Sequence, residues 1–170
     1  MYNFDYTNFM PKILVIDDEK PIRDALHNIL TAEQYQVDIV ENGKKGLEML
    51  NENDYDVVLC DIKMPGMDGL ELAKAFRRPL RNRDVPIVLV TVVGDEPVRQ
   101  AALDAGVIDF LVKPIRPREL RARCRNLLQL RQQSESVKQR ALSLEQRLLA
   151  SMHEVEERER ETLSRLARAI

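Results

Sequence analysis

Tryptophan is absent from the 170-residue chain, aromatics of any kind make up 5%, and cysteine occurs twice, at Cys60 and Cys124. Two cysteines without a CxxC spacing build neither a disulfide framework nor a structural zinc site. With only His27 and His153, there is no His-rich metal cluster and no Ser-His-Asp triad in prospect. No apolar run approaches the ~18 to 20 residues of a membrane span, and the start lacks a signal peptide's basic-then-apolar layout. The expectation is therefore a cytoplasmic protein with no membrane partner. A surplus of positive charge is missing too. The 26 basic and 28 acidic residues give a net charge of −2, which argues against direct nucleic-acid binding. What the chain does have is 44% hydrophobic residues, enough to exclude wholesale disorder. Its 32% charged residues exceed the roughly 25% of a typical globular chain. The length allows one domain with something appended, or two small ones.

The scarce residues are unevenly placed. All six Gly, all eight Pro and all eight aromatics lie at or before Pro117, and the 53 residues after it contain none. Charge divides at the same point. Residues 1–114 carry 13 basic and 20 acidic groups, net −7, whereas residues 115–170 carry 13 and 8, net +5. Before the boundary, short β-branched runs alternate with helical patterns. The strand candidates are Ile13–Ile16, Val37–Val40, Val57–Cys60, Ile87–Val90 and Ile108–Val112. Helices are expected near 20–33, 44–53, 68–78 and 95–105, with breakers at Asn42-Gly43, Pro65-Gly66, Pro79, Pro86 and Gly106. Five βα units of this kind imply an α/β fold, a five-stranded parallel sheet with helices on both faces.

Such sheets bind ligands beyond the carboxyl ends of their strands. Strand one there ends in Asp17, Asp18 and Glu19, strand three in Asp61, strand four in Thr91, and strand five runs into Lys113-Pro114. Acidic residues at a single strand end are ordinary turn formers; the whole set, in order on five strands, argues for a site. Clustered carboxylates repel unless a cation joins them, and an all-oxygen site suits Mg²⁺. A carboxylate beside Mg²⁺ and a lysine is placed to accept a phosphoryl group, because both cations offset charge on its oxygens.

With these residues in place, the chain resembles the receiver domain of two-component response regulators, a CheY-like, flavodoxin-like fold, over about residues 11–130. The stretch DIKMPGMDG from Asp61 to Gly69 carries the resemblance, supported by VIDDEK from Val15 to Lys20. The resemblance implies that Asp61 is the phosphoacceptor, charged by a histidine kinase or phosphotransfer protein. It implies a Mg²⁺ pocket of Asp17, Asp18, Asp61 and the backbone carbonyl of Lys63. Thr91 and Lys113 would bind the phosphoryl oxygens, with a cis peptide bond between Lys113 and Pro114. Phe110, by itself a half-buried strand aromatic, matches the switch residue that moves with Thr91. Cys60, in a buried strand, reads as a core residue. Two positions depart from the pattern. Val92 stands where the family commonly has Ala or Gly, and Lys63 puts an exposed cation beside the site.

Residues 117–170 would span about 80 Å as one helix at ~1.5 Å per residue, more than a receiver can bury. Leu130, Ser134, Val137, Ala141, Leu144 and Leu148 step by 4 and 3 in a heptad seam. From Leu144 the seam continues through Met152, Val155, Glu159, Leu163, Leu166 and Ile170 with an 11-residue repeat. The expectation is a parallel homodimeric coiled coil through 130–170, with a lone helix, or one packed on an absent domain, as the other reading. The last stretch, ERERETLSRLARAI, resembles the approach to HD-GYP cyclic-di-GMP phosphodiesterase domains. That resemblance implies an output domain not contained in this chain. The organisation expected is an arm over 1–10, a receiver over 11–130 and a coiled-coil signalling helix over 131–170. The arm holds Tyr2, Phe4, Tyr6 and Phe9, an anchor or a loose extension. Three other functions compete with this reading. A DNA-binding output would need a reader after the receiver, and no Gly or Pro turn divides the helix into one. A stand-alone adaptor for a protein partner would end with the helix. A Mg²⁺-dependent phosphatase would need a cap that the short connections do not supply.

Overall fold

The computed structural model describes residues 10–78, 84–92 and 96–169. Most of the arm and the turn expected at Pro79 lie outside the described residues. The β-branched runs form five strands: β1 (Lys12–Ile16), β2 (Gln36–Val40), β3 (Val57–Asp61), β4 (Ile87–Thr91) and β5 (Asp109–Val112). Between them lie α1 (Lys20–Ala32), α2 (Gly43–Glu52), α3 (Gly69–Arg77) and α4 (Glu96–Asp104), and α5 (Pro117–Arg168) follows β5. The strands pair in parallel in the order β2-β1-β3-β4-β5, the flavodoxin-like arrangement. The chain steps from β1 outward to β2 and then crosses to β3, so the strand order reverses between β1 and β3. A crevice at such a reversal, beyond the strand ends, is where this architecture places a ligand.

Side chains alternate across each strand with a period of two, and both faces are covered. Leu14, Ile16, Val58, Cys60 and Leu89 pack on one side with Leu72 and Phe76 of α3. Ile13, Val15, Leu59, Val90 and Leu111 pack on the other against Leu26 and Leu30 of α1 and Leu120, Cys124 and Leu127 of α5. Each such leucine contributes roughly 1.5–3 kcal/mol by leaving water. Both cysteines are buried and free. Burial raises both thiol pKa values, that of Cys124 to about 12, so they serve as core residues and not as thiolates.

Local chemistry starts the helices. Asn42 caps α2 by accepting the Lys45 N–H at 2.9 Å, and Asp68 and Glu71 form a reciprocal capping box on α3. Pro21 and Pro117 occupy first turns, where a missing N–H costs nothing. The expected fifth strand shortens by one residue. Ile108 is half exposed and sends its N–H to the Ile87 carbonyl at 3.1 Å, and β5 begins at Asp109.

Chain contacts divide the molecule into two compact units, Met1–Arg131 and Gln132–Ile170. The second is helical through Arg168, and Val137, Leu144, Leu148, Met152, Val155, Leu163 and Leu166 are each more than half exposed along it. No helix among the described residues is long and apolar enough to cross a membrane.

Candidate functional site

Three of the expected residues end or follow neighbouring strands: Asp17 after β1, Asp61 as the last residue of β3, and Thr91 as the last of β4. They are the buried polar residues of the described chain. Lys113 follows β5 and reaches back across the sheet edge. Its Nζ lies 3.2 Å from Asp61 Oδ2, 3.2 Å from Glu19 Oε1 and 3.3 Å from Asp17 Oδ2. The Lys113–Pro114 peptide bond is cis.

One ammonium therefore faces three carboxylates. The carboxylate oxygens of Asp17, Glu19 and Asp61 lie within 4.8 Å of one another. Burial raises the pKa of Asp61, with Asp17 and Asp18 adding to the rise and Lys113 opposing it. Asp17 is raised for the same first reason, against the pull of the Glu19 N–H and Lys113. For Lys113, burial works against the charge, but Asp61, Glu19 and Asp17 outweigh it and its pKa stands above the ordinary value. Asp17 is tied down on two sides: Oδ1 accepts the Glu19 N–H at 2.8 Å and its carbonyl accepts Arg23 Nη1 at 2.6 Å. Its Oδ2 is buried without a hydrogen bond and has the Lys113 ammonium at 3.3 Å as its ion contact. A buried carboxylate oxygen of this kind, in an all-oxygen set with one cation for three negative groups, fits a hard divalent cation such as Mg²⁺.

The loop after β3 shapes the other wall. Gly66 has φ of 79°, a left-handed turn that a side chain would strain. A Cβ on Gly69 would come within 2.4 Å of the Asp61 carbonyl oxygen, so only glycine lets α3 start directly against the end of β3. Asp18 and Lys63, both exposed, line an open cleft of about 590 Å³ with Pro65, Asp68 and Val98. Asp18 is not in the carboxylate triple; Glu19 is. The Thr91 hydroxyl donates to the Val92 carbonyl at 3.1 Å. Val92 itself is 46% exposed. Phe110 is buried more deeply than a half-buried strand aromatic, at 7% exposure, with the Arg99 guanidinium 5.0 Å from its ring centre. Beside it, Asp109 receives Arg123 of α5 at 2.5 Å on both oxygens.

Glu19 has no assigned role in the sequence, and Arg23, Arg99 and Arg123 do not stand out there at all. Glu19 carried a signal, a third acidic residue in the same turn. The arginines carried none, since each acts through a neighbour brought close by the fold.

The response regulator receiver domain model matches residues 13–125. This chain belongs to the receiver family. The chain is 63% identical over 160 residues to the cyclic di-GMP phosphodiesterase response regulator RpfG of Xanthomonas campestris pv. campestris (strain 8004), covering 93% of this chain and 42% of that protein. It is 40% identical over 124 residues to the transcriptional regulatory protein ResD of Bacillus subtilis (strain 168), covering 73% of this chain and 50% of that one. The chain thus spans half or less of the length of these two relatives. Among solved structures, the chemotaxis response regulator CheY4 of Vibrio cholerae matches with a TM-score of 0.67 at 28% identity, over 70% of this chain and 99% of that one. A CheY-like receiver domain protein from Methanospirillum hungatei matches with a TM-score of 0.70 at 27% identity, over 74% and 99%.

Proposed function

We propose that this receiver is a phosphorylation-controlled switch in which Asp61 accepts a phosphoryl group from the phosphohistidine of a histidine kinase or phosphotransfer protein. The observation that carries the reading is the Lys113 ammonium, 3.2 Å from the Asp61 carboxylate and in contact with two further acidic groups. An Asp61 oxygen forms the new O–P bond while the N–P bond to the donor imidazole breaks and the imidazole keeps the electron pair. Asp17, Asp18, Asp61 and the Lys63 carbonyl would hold Mg²⁺, with Glu19 close enough to join them. When bound, Mg²⁺ supplies positive charge beside the transferring oxygens. Lys113 pairs with one of those oxygens, and the Thr91 hydroxyl leaves the Val92 carbonyl to donate to another. Phe110 answers the movement of Thr91. Because Asp109 grips Arg123, a shift of β5 is felt in the first turns of α5.

The domain organisation fits the same reading: an arm over 1–10, a receiver over 11–130 and a signalling helix over 131–170. The helix forms a parallel homodimer and leads to an output domain outside this chain. Identity of 63% with RpfG across nearly the whole chain supports a cyclic-di-GMP phosphodiesterase as that output, and the resemblance of residues 157–170 to the approach of HD-GYP domains supports that type. The working compartment is the cytoplasm, where histidine kinases present their phosphoryl groups. To test the chemistry, the chain is incubated with Mg²⁺ and a small phosphodonor. The expected result is an acid-stable, base-labile phosphate on the native chain and none on Asp61→Ala. Label that persists on the variant overturns the assignment.

A further inference from the structure

The second unit presents apolar residues to solvent at the 4-3 spacing of a seam, and its charges show what faces that seam. Along Ser134, Val137, Ala141, Leu144 and Leu148, two flanking rows border the stripe. One holds Gln133, Arg140 and Arg147, and the other holds Arg131, Lys138 and Glu145. On an isolated helix, acidic and basic side chains stabilise one another at separations of three or four residues. Arg140 has Ser136, Val137, Ser143 and Leu144 at those positions, and Glu145 has Ala141, Leu142, Leu148 and Leu149. Neither has an opposite charge to meet on its own helix. Among the described residues neither forms an ion pair, although Lys138–Glu135, Arg158–Glu154 and Arg165–Glu161 on the same unit do.

The two unpaired charges are five residues apart, one in each flanking row. That is the offset at which the flanking rows of two parallel, in-register helices meet across a coiled-coil seam. We infer that Arg140 and Glu145 form a reciprocal interhelical ion pair, Arg140 of each copy with Glu145 of the other, which selects a parallel in-register second copy of this chain. The inference rests on the homodimer reading given above and supplies its orientation. An antiparallel partner would set the row of Arg140 and Arg147 against itself, like charge on like. A one-heptad slip would move Arg140 opposite Met152 or Lys138, and the pair would be lost. The apolar stripe alone does not choose among these arrangements, because leucine meets leucine in each. The charges do.

Charge exchange on the full 170-residue chain tests this, with association measured by sedimentation equilibrium. Arg140→Glu and Glu145→Arg each convert two attractions into two repulsions, so each variant alone is expected to dimerise roughly tenfold more weakly than the native chain. Mixed in equal amounts they regain two attractive contacts, and the mixture is expected to associate about as tightly as the native chain. The double variant Arg140→Glu with Glu145→Arg is expected to do the same by itself. Both positions are exposed and accept helix-forming residues, so helicity by circular dichroism stays unchanged. If the native chain dimerises but the mixture associates no better than either variant alone, the pair is overturned and the dimer stands. A native chain that remains monomeric at all concentrations overturns the dimer reading and the pair with it.

Discussion

The core leucines of one unit and the stripe leucines of the other have opposite fates. In Met1–Arg131 the leucines of β1, β3, β4 and β5 and those on the first turns of α5 are buried, while in Gln132–Ile170 Leu144, Leu148, Leu163 and Leu166 stay more than half exposed. The first unit closes its own core, so its stability belongs to one chain. The second has one apolar stripe that nothing among the described residues covers; on the proposed dimer reading its stability depends on association and therefore on concentration. Charge divides in the same sense. The first unit gathers carboxylates at one buried sheet edge, where they repel and invite cations. The second spreads both signs along an exposed rod, where individual pairs are worth little and, on the inference above, pattern selects the partner.

The strongest test of this contrast removes one leucine from each unit. Leu59, 1% exposed at the centre of the sheet, is expected to cost about 2–5 kcal/mol as Leu59→Ala, through lost burial and the cavity left behind. Leu148→Ala, measured at a dilution where the chain is monomeric, is expected to leave the thermal midpoint of the first unit unchanged. Its effect appears only as weaker self-association. A Leu148→Ala variant that lowers the dilute midpoint as much as Leu59→Ala would erase the distinction between the units.

Next in size is the ammonium that holds the acidic edge together. Lys113→Ala leaves Asp17, Glu19 and Asp61 without their shared cation, and is expected to destabilise the fold on the order of 2 kcal/mol at neutral pH. The sign follows from the shift. The pKa of Lys113 is raised, so its contribution is complete below the unfolded value of 10.5 and is lost as pH rises through the higher folded one. Denaturant titrations of native and variant chains at neutral pH and above the folded lysine value check both parts: the gap between them closes at high pH.

The sheet edge also shows what a sequence can and cannot display. Strands rich in Val and Ile, each followed by a polar residue, were legible because side-chain period and strand-end position are properties of spacing. Spacing alone brings Asp17, Asp61, Thr91 and Lys113 to one edge. Whether Asp18 or Glu19 turns inward is a different matter. It is decided by the Glu19 N–H bending back to Asp17 Oδ1, a local turn that no spacing announces. Ile108 misled for a related reason: an apolar, β-branched residue reads as strand wherever it falls, yet here it precedes the ladder at half exposure. The depth of Phe110 likewise depends on α4, whose Arg99 covers the ring from a distance in sequence that no periodicity records.

A smaller effect, opposite in sign, is expected from Asp61 itself. Its raised pKa means the folded state holds the proton more tightly than the unfolded chain does. That contribution is present below the unfolded value of 3.8 and lost as pH rises through the folded one, so at neutral pH the ionised carboxylate burdens the fold. Asp61→Asn is therefore expected to stabilise the protein by about 1 kcal/mol, a rise of roughly 2–4 °C in midpoint. The gain should shrink as pH is lowered, and thermal melts at several pH values in the absence of Mg²⁺ will show it. A midpoint that falls on this substitution would mean that Lys113 more than compensates for burial.

The smallest expected effect lies on α5 before the boundary at Arg131. Arg123 touches Asp109 on β5 and Glu119 one turn earlier, and both contacts are partly open to solvent. Exposed pairs of this kind contribute little, so Arg123→Ala is expected to cost less than about 1 kcal/mol of stability. Its value to the molecule is positional, because Asp109 adjoins Phe110 and accepts the Phe110 N–H at 2.8 Å through Oδ1. Leu120, Cys124 and Leu127 hold the first turns of α5 against the sheet by burial, which resists separation but permits sliding. The ion pair adds direction and fixes one point of the helix to one residue of β5. Phosphorylation of Arg123→Ala should therefore proceed as in the native chain, while any phosphorylation-dependent change in self-association becomes smaller. Measuring phosphate incorporation and sedimentation on the same samples separates the two, and an undiminished response in association would assign the coupling to the buried leucines alone.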